Sequence, residues 1–242
     1  MNCKNCGDTI EGKYCSQCGQ LSSTGRLTSA SLVDELSESI FQVNRGFFFT
    51  AKELSVRPGN TIVEYLDGKR KPHFKPIAYV LALSTIYFLI TQVAAQNTWV
   101  GDVVSGWMEG VSDPDAEIPT VARWIINNYA YTTLLLLPVF SLASYLSFFK
   151  AQKNYIEHIV INCYITGHQA IFYALFAILH ALVEKDIMEV LPLPLAVAYA
   201  FWVFGQAFSS SGWLINILRT LLAYLLYLVF CTILLGVLAG IS

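Results

Sequence analysis

The sequence predicts an all-α membrane protein of about five transmembrane helices, with a small N-terminal zinc ribbon and amphipathic juxtamembrane helices. Three observations carry this. Of 242 residues, 55% are hydrophobic and 13% charged, where a soluble domain carries about 25% charged residues. The charges are uneven: ten of the fifteen Lys and Arg lie at or before Lys75, and long uncharged apolar runs follow. The first residues also hold two Cys-x-x-Cys pairs. The chain divides accordingly into a head over 1–20, a linker and neck over 21–75, and a helical bundle over 76–242.

In the head, each pair is followed by glycine: Cys3-Lys4-Asn5-Cys6-Gly7 and Cys15-Ser16-Gln17-Cys18-Gly19. Two residues between thiols let a tight turn aim both sulfurs at one ion, and glycine permits the positive φ such turns need. The spacing between the pairs lets Cys3, Cys6, Cys15 and Cys18 close a tetrahedron around Zn²⁺. Four thiolates leave no open position for water, so such a site is structural. Two disulfides would also satisfy four cysteines, given an oxidising compartment. A thioredoxin-like redox pair is a third reading, but no βαβ pattern surrounds either motif. Only Lys4 and Lys13 are basic here, against Asp8 and Glu11, and the net charge is close to zero. A nucleic-acid partner therefore gets no electrostatic support.

The neck follows a polar linker. Val33, Leu36, Ile40, Val43 and Phe47 recur at three-four spacing and predict one helix face. Pro58-Gly59 then breaks the chain, Asn60 or Thr61 is expected to cap a short second helix, and Gly68 to end it. Lys69, Arg70, Lys71 and Lys75 form a basic cluster before the first apolar run, placed to meet anionic lipid head groups while Phe47, Phe48 and Phe49 enter the interface. A docking face for a protein partner is the alternative use of this surface. Gly46-Phe47, Thr50, Leu54, Arg57-Pro58-Gly59, Ile62, Glu64-Tyr65, Gly68-Lys69-Arg70, Pro76 and Tyr79 resemble the signature of an uncharacterised bacterial membrane family. That family is a domain of unknown function with a zinc-ribbon head and several spans. The resemblance covers head and neck, roughly the first third of the chain. It implies a bacterial inner-membrane location and brings no activity and no catalytic residues.

A span needs about 20 apolar residues. Five segments qualify: 76–95, 124–149 with Pro138 as a kink, 158–183, 192–208 and 217–241. The break between the last two is weak, so a four-span count is the competing topology. "MNCKNC" has no apolar leader segment, so the first span is expected to direct insertion. Orientation follows from Lys and Arg. With the N-terminus inside, thirteen basic residues fall on the inner side and only Arg123 and Lys185 on the outer side. The first outer loop is instead acidic, with Asp102, Glu109, Asp113, Asp115 and Glu117. The head is thus expected in the cytoplasm, where thiols stay reduced, and Zn²⁺ is expected over disulfides.

The third span carries a polar stripe. At 100° per residue His158, Asn162, Thr166, Gln169, Tyr173 and His180 fall within an arc of about 80°, which must face other helices. One reading is a lined path for a small solute or lipid, as in a transporter or channel. The other is interhelical hydrogen bonding, at about 0.6 kcal/mol per side chain. No acidic or basic residue sits mid-span, which weighs against coupled transport. There is no His-Glu-x-x-His and no Gly-x-Ser-x-Gly. His168 or His180 as haem ligands and Cys163 as a nucleophile lack supporting residues, so no enzyme is expected. The expected function is a membrane-anchored interaction or scaffold protein that engages a protein partner through head and neck.

Overall fold

A computed structural model of the chain describes residues 1–22, 24–29, 31, 45–111, 120–183, 185 and 187–241. Among these, ten α-helices follow the head: α1 Arg45–Val56, α2 Pro58–Leu66, α3 Pro76–Val93, α4 Trp99–Val111, α5 Thr120–Asn127, α6 Tyr129–Ser147, α7 Tyr155–Val183, α8 Ile187–Val190, α9 Pro192–Ala207 and α10 Trp213–Ile241. Five stretches are long and apolar enough to cross a membrane: α3, α6, α7, α8 with α9 as one run, and α10 over Trp213–Leu234. Among the described residues the candidate spans number five. The predicted neck helix from Val33 falls mostly on residues 32–44, outside the described residues.

The boundaries move for local reasons. The second span begins at Tyr129 rather than 124, because Asn128 leaves helical geometry (φ −123°, ψ 48°) and separates the amphipathic α5 from α6. The third begins at Tyr155, three residues early. Asn154 Oδ1 accepts the Glu157 amide at 2.8 Å and Glu157 Oε2 accepts the Asn154 amide at 2.7 Å, a reciprocal cap. The fifth begins at Trp213, just after Gly212 turns the chain at φ +78°. The first predicted outer loop is partly helical, since α4 and α5 lie within it.

α7 is the central helix. α3 runs parallel to it: Tyr79 OH lies 3.0 Å from His168 Nδ1, and a Cβ on Gly167 would sit 3.0 Å from Val80 Cα. Further along, Leu89, Ile90 and Val93 share an apolar recess with Ile178, Ala181 and Leu182. α6 runs antiparallel, joining Ser144 to His158 and Ser141 to Asn162. α9 is also antiparallel, with Tyr199 stacked on His168 and Ala196 O accepting from Gln169. α10 lies outside, against Phe140 and Phe201 through Tyr224. At the end away from the head, Trp99 stacks on Tyr173 and donates from Nε1 to Tyr129 OH.

Because α3 begins at Pro76 and meets α7 mainly from about Cys163 and Tyr164 onward, about 12 Å along at 1.5 Å per residue, it leaves part of the first turns of α7 open on one side. The neck fills that space. Leu54, Ile62, Tyr65 and Phe74 are buried in one core with Val160, Ile161, Tyr164, Val203 and Phe204. Tyr65 meets Tyr164 edge-on, and Tyr164 OH donates to Phe74 O at 2.7 Å. Neck and bundle are one packed body.

The break at Pro58 is resolved differently from the sequence expectation. Neither Asn60 nor Thr61 caps α2, which starts at Pro58 itself with no side-chain cap at Arg57. Gln206 Oε1, from α9, accepts the amides of Gly59 at 2.9 Å and Asn60 at 3.4 Å. This close approach demands glycine: a Cβ on Gly59 would lie 2.5 Å from Val203 O and 2.6 Å from Ala207 N. Gly59→Val is therefore expected to cost at least about 1–3 kcal/mol and to lower the thermal unfolding midpoint of the detergent-solubilised protein. Gly106→Ala, where nothing lies within 4 Å of the added carbon, is expected to leave that midpoint unlowered.

Candidate metal centre

The head consists of two matching knuckles twelve residues apart. Isolated antiparallel bridges pair Asn2 with Thr9 and Tyr14 with Leu21. The Cys3 amide donates to Asp8 O at 2.7 Å, as the Cys15 amide does to Gln20 O at 2.8 Å. Gly7 and Gly19 then turn at φ +82° and +71°, each donating back to Cys3 O or Cys15 O. In that conformation an L side chain is strained, which accounts for a glycine after each second cysteine.

The knuckles face each other. Cys3 Sγ lies 3.6 Å from Cys18 Sγ and Cys6 Sγ lies 3.5 Å from Cys15 Sγ, and all four sulfurs fall within 4.8 Å of one another. A disulfide needs about 2.05 Å. A tetrahedron of sulfurs at about 2.3 Å from a central ion has edges of about 3.8 Å, close to the observed spacing. The four cysteines can thus hold one metal ion with no position left for water. Their proton balance suits this. The Asn5 side chain first, and the Gln20 amide second, hydrogen-bond Cys18 and hold its thiol down to about 6. The Asp8 amide pulls Cys6 the same way, but burial and hydrogen bonds shared with Cys15, Cys18 and Cys3 push it up to about 12. A cation among the sulfurs relieves that crowding by favouring all four thiolates. Apart from the cysteines, the core of the head contains only Ile10.

The head is seated on the turn between α2 and α3. Gln20, itself buried, accepts from the amides of Arg70 and Lys71 at 3.1 and 3.2 Å. The Lys71 side chain lies over Gly19, and the Lys4 side chain lies over Gly68, where a Cβ would be 2.6 Å from Lys4 Cδ. Lys4 Nζ also donates to Thr24 O at 2.8 Å. Arg70 donates to Gly25 O at 2.7 Å and sits over the Tyr65 ring. Lys69 pairs with Glu64, which also meets Arg57, and Arg57 meets Glu53. Farther along the linker, Arg26 grips the buried Glu157 carboxylate with two bonds, at 3.0 and 3.1 Å, and donates to Gln152 O. The predicted basic cluster therefore has protein partners at Lys69, Arg70 and Lys71.

The polar stripe is divided among separate contacts. Ser144 Oγ lies 3.0 Å from His158 Nδ1, while Asn162 donates to Ser141 and Ser144. Both residues are 0% exposed; His158 Nε2 and Asn162 Oδ1 meet no protein partner. Gln169 binds the α9 backbone, Tyr173 belongs to the aromatic cluster and His180 lies 3.4 Å from Glu189. Thr166 is half-buried. His168, off the stripe, contacts Tyr79 through Nδ1 and Ser55 through Nε2 at 3.3 Å. Ser55 already donates to Ala51 O, so its hydroxyl is an acceptor toward His168 and this is a strut between α1, α3 and α7. Sequence reading missed Gln20 and Arg26, and it placed Gln206 as a partner of the stripe rather than of the Gly59 and Asn60 amides; all three have partners remote in the chain. Glu157 carried a signal, in the Asn154-x-x-Glu157 cap.

A family described as a protein of unknown function (DUF3667) matches residues 44–88. Neither a curated protein nor a solved structure matches the chain. The matched stretch is α1, α2, the turn that seats the head, and the first two-thirds of α3. Within it, Gly46 lies against Pro72 O, Thr50 accepts the Phe74 amide at 2.7 Å, Leu54 O accepts from Tyr199, and Gly68 turns at φ +111° beneath Lys4.

Two outcomes follow. Replacing any one of Cys3, Cys6, Cys15 or Cys18 by serine is expected to abolish one bound metal per chain by elemental analysis, while Cys163→Ser, in a buried bundle position, leaves it. His73 is buried against Phe49 and Tyr65, and burial pushes it down to about 4 from its ordinary 6.5. The unfolded chain takes up that proton as pH falls through 6.5, and the folded chain does so only near 4. Stability is thus full above 6.5 and lost between 6.5 and 4, by up to about 3 kcal/mol. The unfolding midpoint should fall across that window, and less so in His73→Phe.

Proposed function

We propose that this chain is a non-enzymatic, membrane-anchored interaction protein of the bacterial inner membrane, with a cytoplasmic Zn²⁺-stabilised head that presents a docking surface to a protein partner. The observation that carries this is the continuity of head, neck and bundle. A closed four-cysteine centre sits on the α2–α3 turn, and that turn belongs to the bundle core. Zn²⁺ suits four thiolates and a tetrahedral edge of about 3.8 Å, and in small zinc peptides contributes about 10–16 kcal/mol to folding. The head's apolar core is too small to fold without such help.

The cytoplasmic side is supported by the distribution of Lys and Arg. Exposed Met1, Tyr14 and Leu21 on the head give the partner an apolar footing, with Lys13 over the Tyr14 ring. Exposed Lys69 and Lys71, with Lys75 beside the first span, supply contact with anionic head groups; Arg70 is committed to Gly25 and Tyr65. The complete burial of His158 and Asn162 weighs against a solute path along the stripe.

A reporter that fluoresces only in the cytoplasm, fused ahead of Met1, is expected to be bright, and a periplasm-dependent reporter at the same place silent; the reverse would end the topology. A photo-crosslinking residue at Tyr14 in intact cells is expected to give one discrete adduct near stoichiometry, lost when Cys3 and Cys18 are both serine. A head that gives no adduct from Tyr14, Leu21 or Met1 would end the interaction reading.

A further inference from the structure

We propose that the head is a metal-dependent latch on the bundle, with Gln20 as the latch residue and the Gly68–Lys71 turn as its catch. The inference rests on the reading that the four thiolates hold Zn²⁺, and goes beyond it by making metal occupancy control what the neck exposes.

The two side chains that the head lays on the turn, Lys4 and Gln20, arise in or next to the metal knuckles. Lys4 lies between Cys3 and Cys6, and Gln20 lies two residues past Cys18. Gln20 is positioned by its own carbonyl, which accepts the Cys15 amide at 2.8 Å. Its side-chain oxygen then serves the amides of Arg70 and Lys71 together. Those bonds exist only while the second knuckle keeps its shape, and that shape depends on the metal because Ile10 is the head's one core residue besides cysteines. On the other side of the catch, nothing of the head is needed. The Phe74 amide is held by Thr50 and the Phe74 carbonyl by Tyr164, while α2 is capped by Gln206. Metal loss should therefore free the catch and leave the neck in place.

The freed segment would present an unengaged Lys71 amide beside the exposed side chains of Lys69 and Lys71, a surface suited to anionic head groups, while the Arg70 amide keeps Gly68 O and its guanidinium keeps Gly25 O. Arg26 would remain on Glu157 and keep the released head within reach, so relatching needs only metal.

The test is hydrogen–deuterium exchange of the full chain in lipid nanodiscs, with Zn²⁺ and after a strong chelator, read by mass spectrometry over short peptides. Chelation should accelerate exchange at Lys71 at least tenfold, Arg70 less because its amide also bonds Gly68 O, and leave Phe74 and α2 within twofold; added Zn²⁺ should restore protection. Gln20→Ala should retain one metal per chain yet show fast exchange at Lys71 without chelation. Unchanged exchange at the catch after verified metal removal would overturn the latch while leaving the zinc reading intact. Acceleration spreading through Phe74 and α2 would also overturn it, since the metal would then hold up the whole neck. A full chain that neither contains nor takes up Zn²⁺ would overturn both readings.

Discussion

Every backbone amide and carbonyl shielded from water must find a partner inside the protein, and that requirement organises this fold. Regular helices meet it alone, but the chain also brings irregular backbone against the bundle, where α1 stops, α2 begins and the turn leads into α3. At each of these places a side chain from a distant helix supplies the missing group. Gln206 serves the start of α2, Thr50 and Tyr164 serve the two sides of Phe74, and Tyr199 serves Leu54 at the end of α1. Without these partners the neck would be driven out to water and α7 would lose its cover. With them, a hairpin that reads as a surface feature is built into the core.

The bundle itself was largely legible, because span detection needs only length and hydropathy. The four cysteines were legible for a similar reason: ligand chemistry and spacing are local, and the structure brings them together as expected. What could not be read was anything carried by a contact remote in sequence. Gln206 looks like an ordinary polar residue near the end of a span until Gly59 is placed against it, 147 positions away. The expectation that Asn60 or Thr61 caps α2 failed because capping was sought nearby. The period gathers the α7 stripe into one arc, yet a period cannot say that His158 meets α6 while Gln169 meets α9.

The neck motif shows how the same residues support two readings. From sequence, Gly68-Lys69-Arg70 resembles a family signature beside a membrane, and its charges suggest lipid. In the structure the glycine makes room for Lys4, the arginine holds the linker at Gly25, and the lysine closes an ion-pair chain through Glu64 and Arg57 to Glu53. Exposed ion pairs of this kind contribute little individually, so the chain acts chiefly to fix the turn's orientation. The family match over residues 44–88 coincides with the segment in which backbone geometry and side-chain chemistry are most tightly constrained together.

The separation between Gly59 and Gln206 has a consequence for biogenesis. At about 5–20 residues per second, the ribosome finishes the neck roughly 7–30 seconds before it delivers the helix on which the neck must rest. Throughout that interval Leu54, Ile62 and Tyr65, buried in the finished fold, lack part of their cover. Assembly must run backwards with respect to translation: the first segment made is among the last to settle, once the fourth span has been threaded into the bilayer.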